Sequence, residues 1–183
     1  MPTLTTITDE IFTVAEFFSP DECVSLIRLA ESAGFSDAPI NTSVGPAVRG
    51  AARNNTRVIV DDPSRANALW QRLADLLPHP IENWVATGIN ERFRYYRYEV
   101  GQQFNWHRDG QFRRANGELS LLTFIVYLND DFGGGHTSFD ESDILPHTGM
   151  ALLFHNELRH KGQPVTSGRK YVMRTDIMYR FQS

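Results

Sequence analysis

The side chains best suited to chemistry in this sequence are its histidines and the acids near them. Six histidines are present: His79, His107, His136, His147, His155 and His160. His79 lies in Pro78-His79-Pro80, a helix stop that should face water. His136 and His147 fall at loop–strand edges, where a lone imidazole is ordinarily a surface or hydrogen-bonded group. His107-Arg108-Asp109 is different. On a strand, residues two apart point to the same side, so this imidazole and carboxylate converge while Arg108 points away. That is half of a metal site. It is equally the pattern of a structural histidine bonded to an aspartate, and alone it does not separate the two.

The C-terminal segment from His160 to Lys170 favours the metal. It adds a second imidazole about fifty residues on and, ten residues later, a cation that opens a strand. Two histidines and one carboxylate occupy one face of Fe(II) and leave three positions open. When 2-oxoglutarate chelates such a metal through its keto oxygen and adjacent carboxylate, its far carboxylate needs a buried cation, which Lys170 could supply. Lys170, Val172, Arg174 and Asp176 share one face of the last strand by alternation. Arg174 therefore competes with Lys170: the lysine has the position, the arginine the bidentate geometry. Arg174 could instead pair with Asp176 or touch the prime substrate, and Arg169 should face outward. His155 reads as a pocket wall rather than a fourth ligand, and Trp106 as core packing.

Three segments resemble, in order, the prolyl 4-hydroxylase-like branch of the Fe(II)/2-oxoglutarate-dependent dioxygenases: RYEVGQQFNWHRD (97–109), YLNDDFGGGHTSF (127–139) and HKGQPVTSGRK (160–170). The resemblance covers about half the chain, from Arg97 to Tyr179. It implies that His107, Asp109 and His160 are the iron ligands and the catalytic centre, and that Lys170 binds the far carboxylate of 2-oxoglutarate. Tyr98, in the R-Y-x-x-G motif, would donate its hydroxyl to the cosubstrate; the competing reading is an aromatic core residue. Gly134, Gly135 and Thr137 match a structural G-G-x-T turn. Asp109 stands where halogenating relatives carry a small residue, so the implied reaction is hydroxylation of an aliphatic C–H, prolyl or other. The substrate would be a peptide or small molecule. Dioxygen would be consumed, succinate and carbon dioxide released, and ascorbate would serve as reductant. Two alternatives stand beside this: a non-catalytic jelly-roll module that keeps a metal or ligand pocket, and a nucleic-acid demethylase of the same superfamily.

The elements that must position these residues change character along the chain. From Arg92 onward, seven or eight short runs rich in β-branched and aromatic residues are separated by Gly/Asn/Asp clusters, with no helix between them. A mainly β fold with N-terminal helices follows, a barrel or two-sheet jelly roll. The resemblance sharpens this to a cupin-like double-stranded β-helix. The long run ELSLLTFIVYL is apolar on both faces and should lie centrally, covered by helices on one side and an opposing sheet on the other. Upstream, Ser19-Pro20-Asp21-Glu22 offers an N-cap, a proline at N1 and a glutamate at N3, and Gly34 sits at C′. Val24 and Ile27, with Cys23 and Ala30, are the expected packing face. A second helix should run from Asp62-Pro63 to Leu77, stopped by Pro78 and Pro80. Between the helices, residues 36–57 read as loop with one strand. Their Arg49, Arg53 and Arg57 mark either a solvated surface or a lid that holds an anionic group. The expected organisation is one domain over 1–183, with helical support and a candidate lid loop in 1–90 and the jelly-roll catalytic core in 91–183.

Composition bounds the function classes. The chain has 183 residues, 41% of them apolar, and a formal net charge of −4, the proportions of one soluble globular domain without a basic footprint for nucleic acid. The single Cys23 excludes an intramolecular disulfide and a four-cysteine site within one chain. The run LLTFIVYL is too short to span a bilayer and the N-terminus lacks a signal-peptide pattern, so the expectation is a cytoplasmic protein without membrane contact. The sequence leaves the oligomeric state open.

Overall fold

The computed structural model describes residues 2–38, 40–42, 45–47, 53–77 and 80–182. Its N-terminal half holds β1 (Thr3–Thr8), β2 (Ile11–Ala15), α1 (Pro20–Ala33), β3 (Ser36–Asp37), β4 (Ile40–Thr42), β5 (Gly45–Ala47), β6 (Thr56–Asp61), α2 (Pro63–Leu73) and β7 (Trp84–Ile89). The rest is strand: β8 (Arg92–Tyr98), β9 (Phe104–His107), β10 (Leu119–Tyr127), β11 (Gly133–Gly134), β12 (Thr137–Phe139), β13 (Asp143–Ile144), β14 (Ala151–His155), β15 (His160–Gly162), β16 (Val165–Ser167) and β17 (Lys170–Phe181). This is the mainly antiparallel jelly-roll architecture expected from the sequence.

The main sheet runs β1-β2-β14-β10-β17-β8-β6-β3, and β7 pairs the second half of β17. Opposite lies a small sheet, β13-β12-β15-β9. The long apolar strand β10 is central, between β14 and β17. Its alternate residues Leu122, Phe124 and Val126 enter one core with Cys23, Leu26 and Ala30 of α1 and with Leu69 and Leu73 of α2. Ile125 and Tyr127 enter a second core with Phe139, Phe154 and Val172, between the two sheets. A strand buried on both faces is expected to be apolar throughout, as β10 nearly is.

Helix α1 starts as its sequence predicts. Ser19 Oγ accepts from the Glu22 amide at 3.2 Å and Glu22 Oε2 accepts from the Ser19 amide at 2.8 Å, a reciprocal cap, and Gly34 ends the helix at φ 81°. Its packing face differs from the expectation. Cys23, Leu26 and Ala30 are buried and Ile27 is partly so, while Val24 is 43% exposed. Steps of three and four from Cys23 reach Leu26, Ile27 and Ala30, and position 24 lies outside that stripe. Helix α2 ends at Leu73 and one 3-10 turn carries the chain to Leu76, close to the expected stop.

The N-terminal region also supplies strands that the sequence hides. β1 and β2 extend the main sheet beyond β14, and β6 and β3 extend it beyond β8. At the β2–α1 corner Gly149 has φ 78°, and a Cβ there would lie 2.1 Å from the Phe18 carbonyl oxygen, so only glycine fits. Gly134 repeats the device at φ 69° against the Pro164 carbonyl. Among the described residues no helix is long and apolar enough to cross a membrane.

Candidate metal centre

His107 ends β9 and His160 opens β15, and the two are direct cross-strand partners, so both imidazoles stand on one face of the small sheet. Asp109 follows just past β9, its amide donating to the Asn156 carbonyl at 3.0 Å. His107 Nδ1 lies 2.7 Å from the Asn105 carbonyl and His160 Nδ1 lies 3.0 Å from the Leu158 carbonyl. A carbonyl only accepts, so each Nδ1 carries the proton and each Nε2 presents a lone pair. Those Nε2 atoms stand 3.8 Å (His107) and 3.6 Å (His160) from the Asp109 oxygens, and the three donor atoms fall within 4.8 Å of one another. Donors at about 2.1 Å from a shared ion, at right angles, would be about 3 Å apart, so a small inward rotation of the side chains closes the shell.

The charge states suit a metal. Burial, reinforced by the neighbouring His160, holds the His107 imidazolium down to a pKa of about 3, and burial lowers His160 as well. Burial alone would push Asp109 up, but Arg174 and then the two imidazoles more than offset it and bring the carboxyl to about 2. Near neutral pH the site is therefore two neutral imidazoles and a carboxylate, already in the protonation states that ligation requires.

A second layer fixes Asp109. Thr123 Oγ1 donates to its Oδ2 at 2.6 Å, Arg174 Nη2 lies 3.2 Å from the same oxygen, and Asn156, whose Nδ2 donates to the Ser120 carbonyl at 2.9 Å, stands behind Thr123. Phe104 stacks on the His107 ring, centroids 3.5 Å apart. The sequence reading missed Thr123 and Asn156. Thr123 was legible as the lone polar residue inside LLTFIVYL, a position where an unpaired hydroxyl would be costly.

Lys170, His107, Asp109, His160 and Arg174 line one narrow cavity, about 50 Å³, walled by Tyr96, Tyr98, Tyr127 and Val172. Lys170 is 4% exposed. Its Nζ donates to the Gly135 carbonyl at 2.5 Å, rings of Tyr98, Tyr127 and Phe132 stand 5.2–5.9 Å away, and no carboxylate pairs with it among the described residues. Burial brings its pKa down to about 7. Arg174, by contrast, is held by Asp109 and by Asp176 at 3.1 Å. Tyr98 is the cross-strand partner of Lys170, and burial raises its hydroxyl to about 12. It belongs at once to the aromatic core and to the cavity wall.

The remaining expected residues separate. Arg53 is 5% exposed, with its guanidinium 4.3 Å from the Tyr96 ring centre and 4.3 Å from that of Phe104. Arg57 is half-buried on β6, paired across the strands with Tyr96. Arg49 and His79 lie outside the described residues. His155 faces Glu10 across 3.9 Å, away from the cluster, and Arg169 points outward to Glu99 at 2.7 Å. Trp106, expected in the core, is 37% exposed at the rim with Arg159 over its ring at 4.8 Å. Strand alternation turns Trp106 and His107 to opposite faces of β9, which leaves Trp106 on the side away from the metal cavity.

Residues 93–175 match the family model of the 2OG-Fe(II) oxygenase superfamily. The chain is 25% identical over 187 residues to a protein of Acanthamoeba polyphaga mimivirus that carries the name of a prolyl 4-hydroxylase, covering 88% of this chain and 71% of the relative. It is 26% identical over 200 residues to prolyl 4-hydroxylase 5 of Arabidopsis thaliana, covering 85% of this chain but 63% of that longer relative. The fold matches the solved structure of a prolyl hydroxylase from Trichoplax adhaerens, in complex with a hypoxia inducible factor oxygen degradation domain peptide fragment. The TM-score is 0.70 at 17% identity, over 93% of this chain and 84% of that one.

Proposed function

We propose that this chain, a 2-oxoglutarate-dependent dioxygenase similar to prolyl 4-hydroxylases, hydroxylates an aliphatic C–H of a peptide or small molecule. A prolyl ring is the first candidate, because the relatives are named for that reaction. One observation carries the reading: a three-donor cluster that could hold a metal and a buried ammonium without a counter-ion among the described residues line the same cavity. A ligand that satisfies both must chelate at one end and carry an anion at the other, which is the chemistry of a 2-oxo diacid.

In this reading His107 Nε2, His160 Nε2 and an Asp109 oxygen hold Fe(II). When bound, iron supplies the activation of dioxygen that couples conversion of 2-oxoglutarate to succinate and carbon dioxide with C–H hydroxylation, and ascorbate returns it to the ferrous state. The chain's own work is positioning. Lys170 takes the far carboxylate, with the Tyr98 hydroxyl donating beside it. Thr123 and Arg174 hold the carboxylate oxygen of Asp109 that faces them. Phe104, stacked on His107, keeps water from one side of the centre.

Incubation with Fe(II), ascorbate and labelled 2-oxoglutarate should release succinate even without a prime substrate, by slow uncoupled turnover. His107→Ala and Asp109→Ala should each abolish that release and also lose one-to-one Mn(II) binding. Full succinate formation by both variants would refute the assignment.

A further inference from the structure

The cavity is surrounded by more positive charge than its cofactors can use. Cross-strand pairing sets Lys170 beside Tyr98, Arg57 beside Tyr96, and Arg94 beside Arg174 on the face of the main sheet that looks into the site. Two arginines directly opposite each other repel, and Asp176 bridges them, 3.3 Å from Arg94 and 3.1 Å from Arg174. Arg53 comes down over Tyr96 from the segment before β6. The described side chains around Tyr96 and the metal centre thus include five cations, Arg53, Arg57, Arg94, Lys170 and Arg174, against two acids, Asp109 and Asp176. Fe(II) and the 2-oxoglutarate dianion cancel each other, so loading the enzyme leaves the excess in place.

Three buried guanidinium nitrogens lack a hydrogen-bond partner among the described residues; Arg97 Nε stands on the other face of β8, 3.6 Å from Glu99, and the two on Arg53 and Arg174 show where the excess at this site is unsatisfied. Arg53 Nε is used by Asn55 Oδ1 at 2.6 Å, but Arg53 Nη2 has no hydrogen-bond partner. Arg174 Nη2 is used by Asp109 and Asp176, but Arg174 Nε has none. A buried N–H left unmade is costly, more so on a charged group, and a native site that keeps two of them near one phenol is built for an acceptor. The phenol itself responds to the same field: burial would raise Tyr96, but Arg53, Arg174 and Arg94 together bring it down to about 8.

We infer that the prime substrate carries a carboxylate, received by Arg53 and Arg174 against Tyr96 while 2-oxoglutarate occupies the Lys170 end. This rests on the oxygenase reading and narrows it from any peptide or small molecule to an acid. The narrow cavity favours a small carboxylic acid over the interior of a polypeptide, because an internal peptide unit brings dipoles and no charge to two cationic donors.

The test is calorimetry on the Mn(II)-loaded protein saturated with 2-oxoglutarate, in which no turnover competes. Acetate, 2-methylpropanoate and cyclopentanecarboxylate are each titrated against the matching amide. At least one acid should bind one-to-one alongside 2-oxoglutarate, tenfold or more tighter than its amide. Arg53→Gln should cut that preference at least threefold, and Arg53→Lys, which keeps the charge and loses the planar fork, should fall between and serves if the glutamine variant does not fold. Equal binding of acids and amides, an acid that displaces 2-oxoglutarate, or a preference untouched by either Arg53 variant overturns the inference. If 2-oxoglutarate itself fails to bind the Mn(II)-loaded protein, the oxygenase reading falls with it, and that failure is seen before any acid is added.

Discussion

Replacing Lys170 by methionine is the most informative single change, because the structure fixes both its sign and its size. The ammonium is 4% exposed and, among the described residues, has one carbonyl partner and no acid. Removing one member of a buried, hydrogen-bonded charge pair costs about 2–5 kcal/mol, so 2-oxoglutarate should bind Lys170→Met roughly 30- to 4,000-fold more weakly. The wild type should also show a pH dependence. With the free lysine at a pKa of about 7, the binding-competent ammonium is lost as pH rises, and the apparent Kd should climb about 30-fold between pH 6 and 8.5, approaching tenfold per pH unit. The proposed metal ligands His107 and Asp109 titrate far below this window. Tyr96 lies inside it, so Tyr96→Phe is the control that should keep the slope. Calorimetry of 2-oxoglutarate with Mn(II)-loaded protein across that range reads both effects, and the methionine variant should be flat. The same variant should be more stable without ligand. A lysine whose folded pKa is depressed makes the unfolded chain the better proton binder between about 7 and its ordinary 10.5. The penalty is therefore full below pH 7 and fades toward 10.5, and methionine should gain about 1–4 kcal/mol at or below neutrality. Unchanged affinity in Lys170→Met, or a slope it retains, would refute the reasoning and move the far carboxylate to Arg174.

Two further changes separate the site from the scaffold. Thr123→Val keeps the shape of β10 and removes the hydroxyl that donates to Asp109 at 2.6 Å; metal affinity should fall about 10- to 100-fold, read by competition between Mn(II) and a chelator, with the fold intact by circular dichroism. Gly149→Ala places a Cβ 2.1 Å from the Phe18 carbonyl oxygen at a φ of 78°; the thermal midpoint should drop by several degrees, from a loss of about 1–3 kcal/mol, while Mn(II) affinity in the folded protein holds.

The elements carried by side-chain pattern were legible in the sequence. The cap residues of α1, the aromatic strands after Arg92 and the two-sided apolar β10 announce themselves because local chemistry and burial agree there. β1 is hidden because TLTTIT is an edge strand with almost no buried side chain, and β6 because an arginine-bearing strand looks like loop when the cavity it faces is unknown. The metal donors were legible from the H-x-D spacing, although β9 ends at His107 and it is the Asp109 amide, donating to the Asn156 carbonyl at 3.0 Å, that holds Asp109 beside it; a cross-strand pairing is all that His160 then needs. What alternation cannot do is choose among residues on one face, and that is why Thr123 of β10 was passed over, while Asn156, just past the end of β14, lies on no strand for alternation to place.

The choice between Lys170 and Arg174 shows where that limit lies and how geometry passes it. Both residues share a face of β17, and four strand steps put their Cα atoms about 13 Å apart. Arg174 lies at the metal end, 3.2 Å from a ligand oxygen and bound to Asp176 as well, so two carboxylates of the protein already use its charge. Lys170 lies at the other end with no acid among the described residues to answer it. A molecule chelated at the metal extends away from the centre that grips it, and its far anion meets the cation a molecule's length along the strand. That argues for Lys170 at the cosubstrate and frees the open nitrogen of Arg174 for the prime substrate. On the proposed reading the two cations of one strand face divide one cavity into a cosubstrate end and a substrate end, and the acid-over-amide preference and the Lys170 pH slope test the two halves independently.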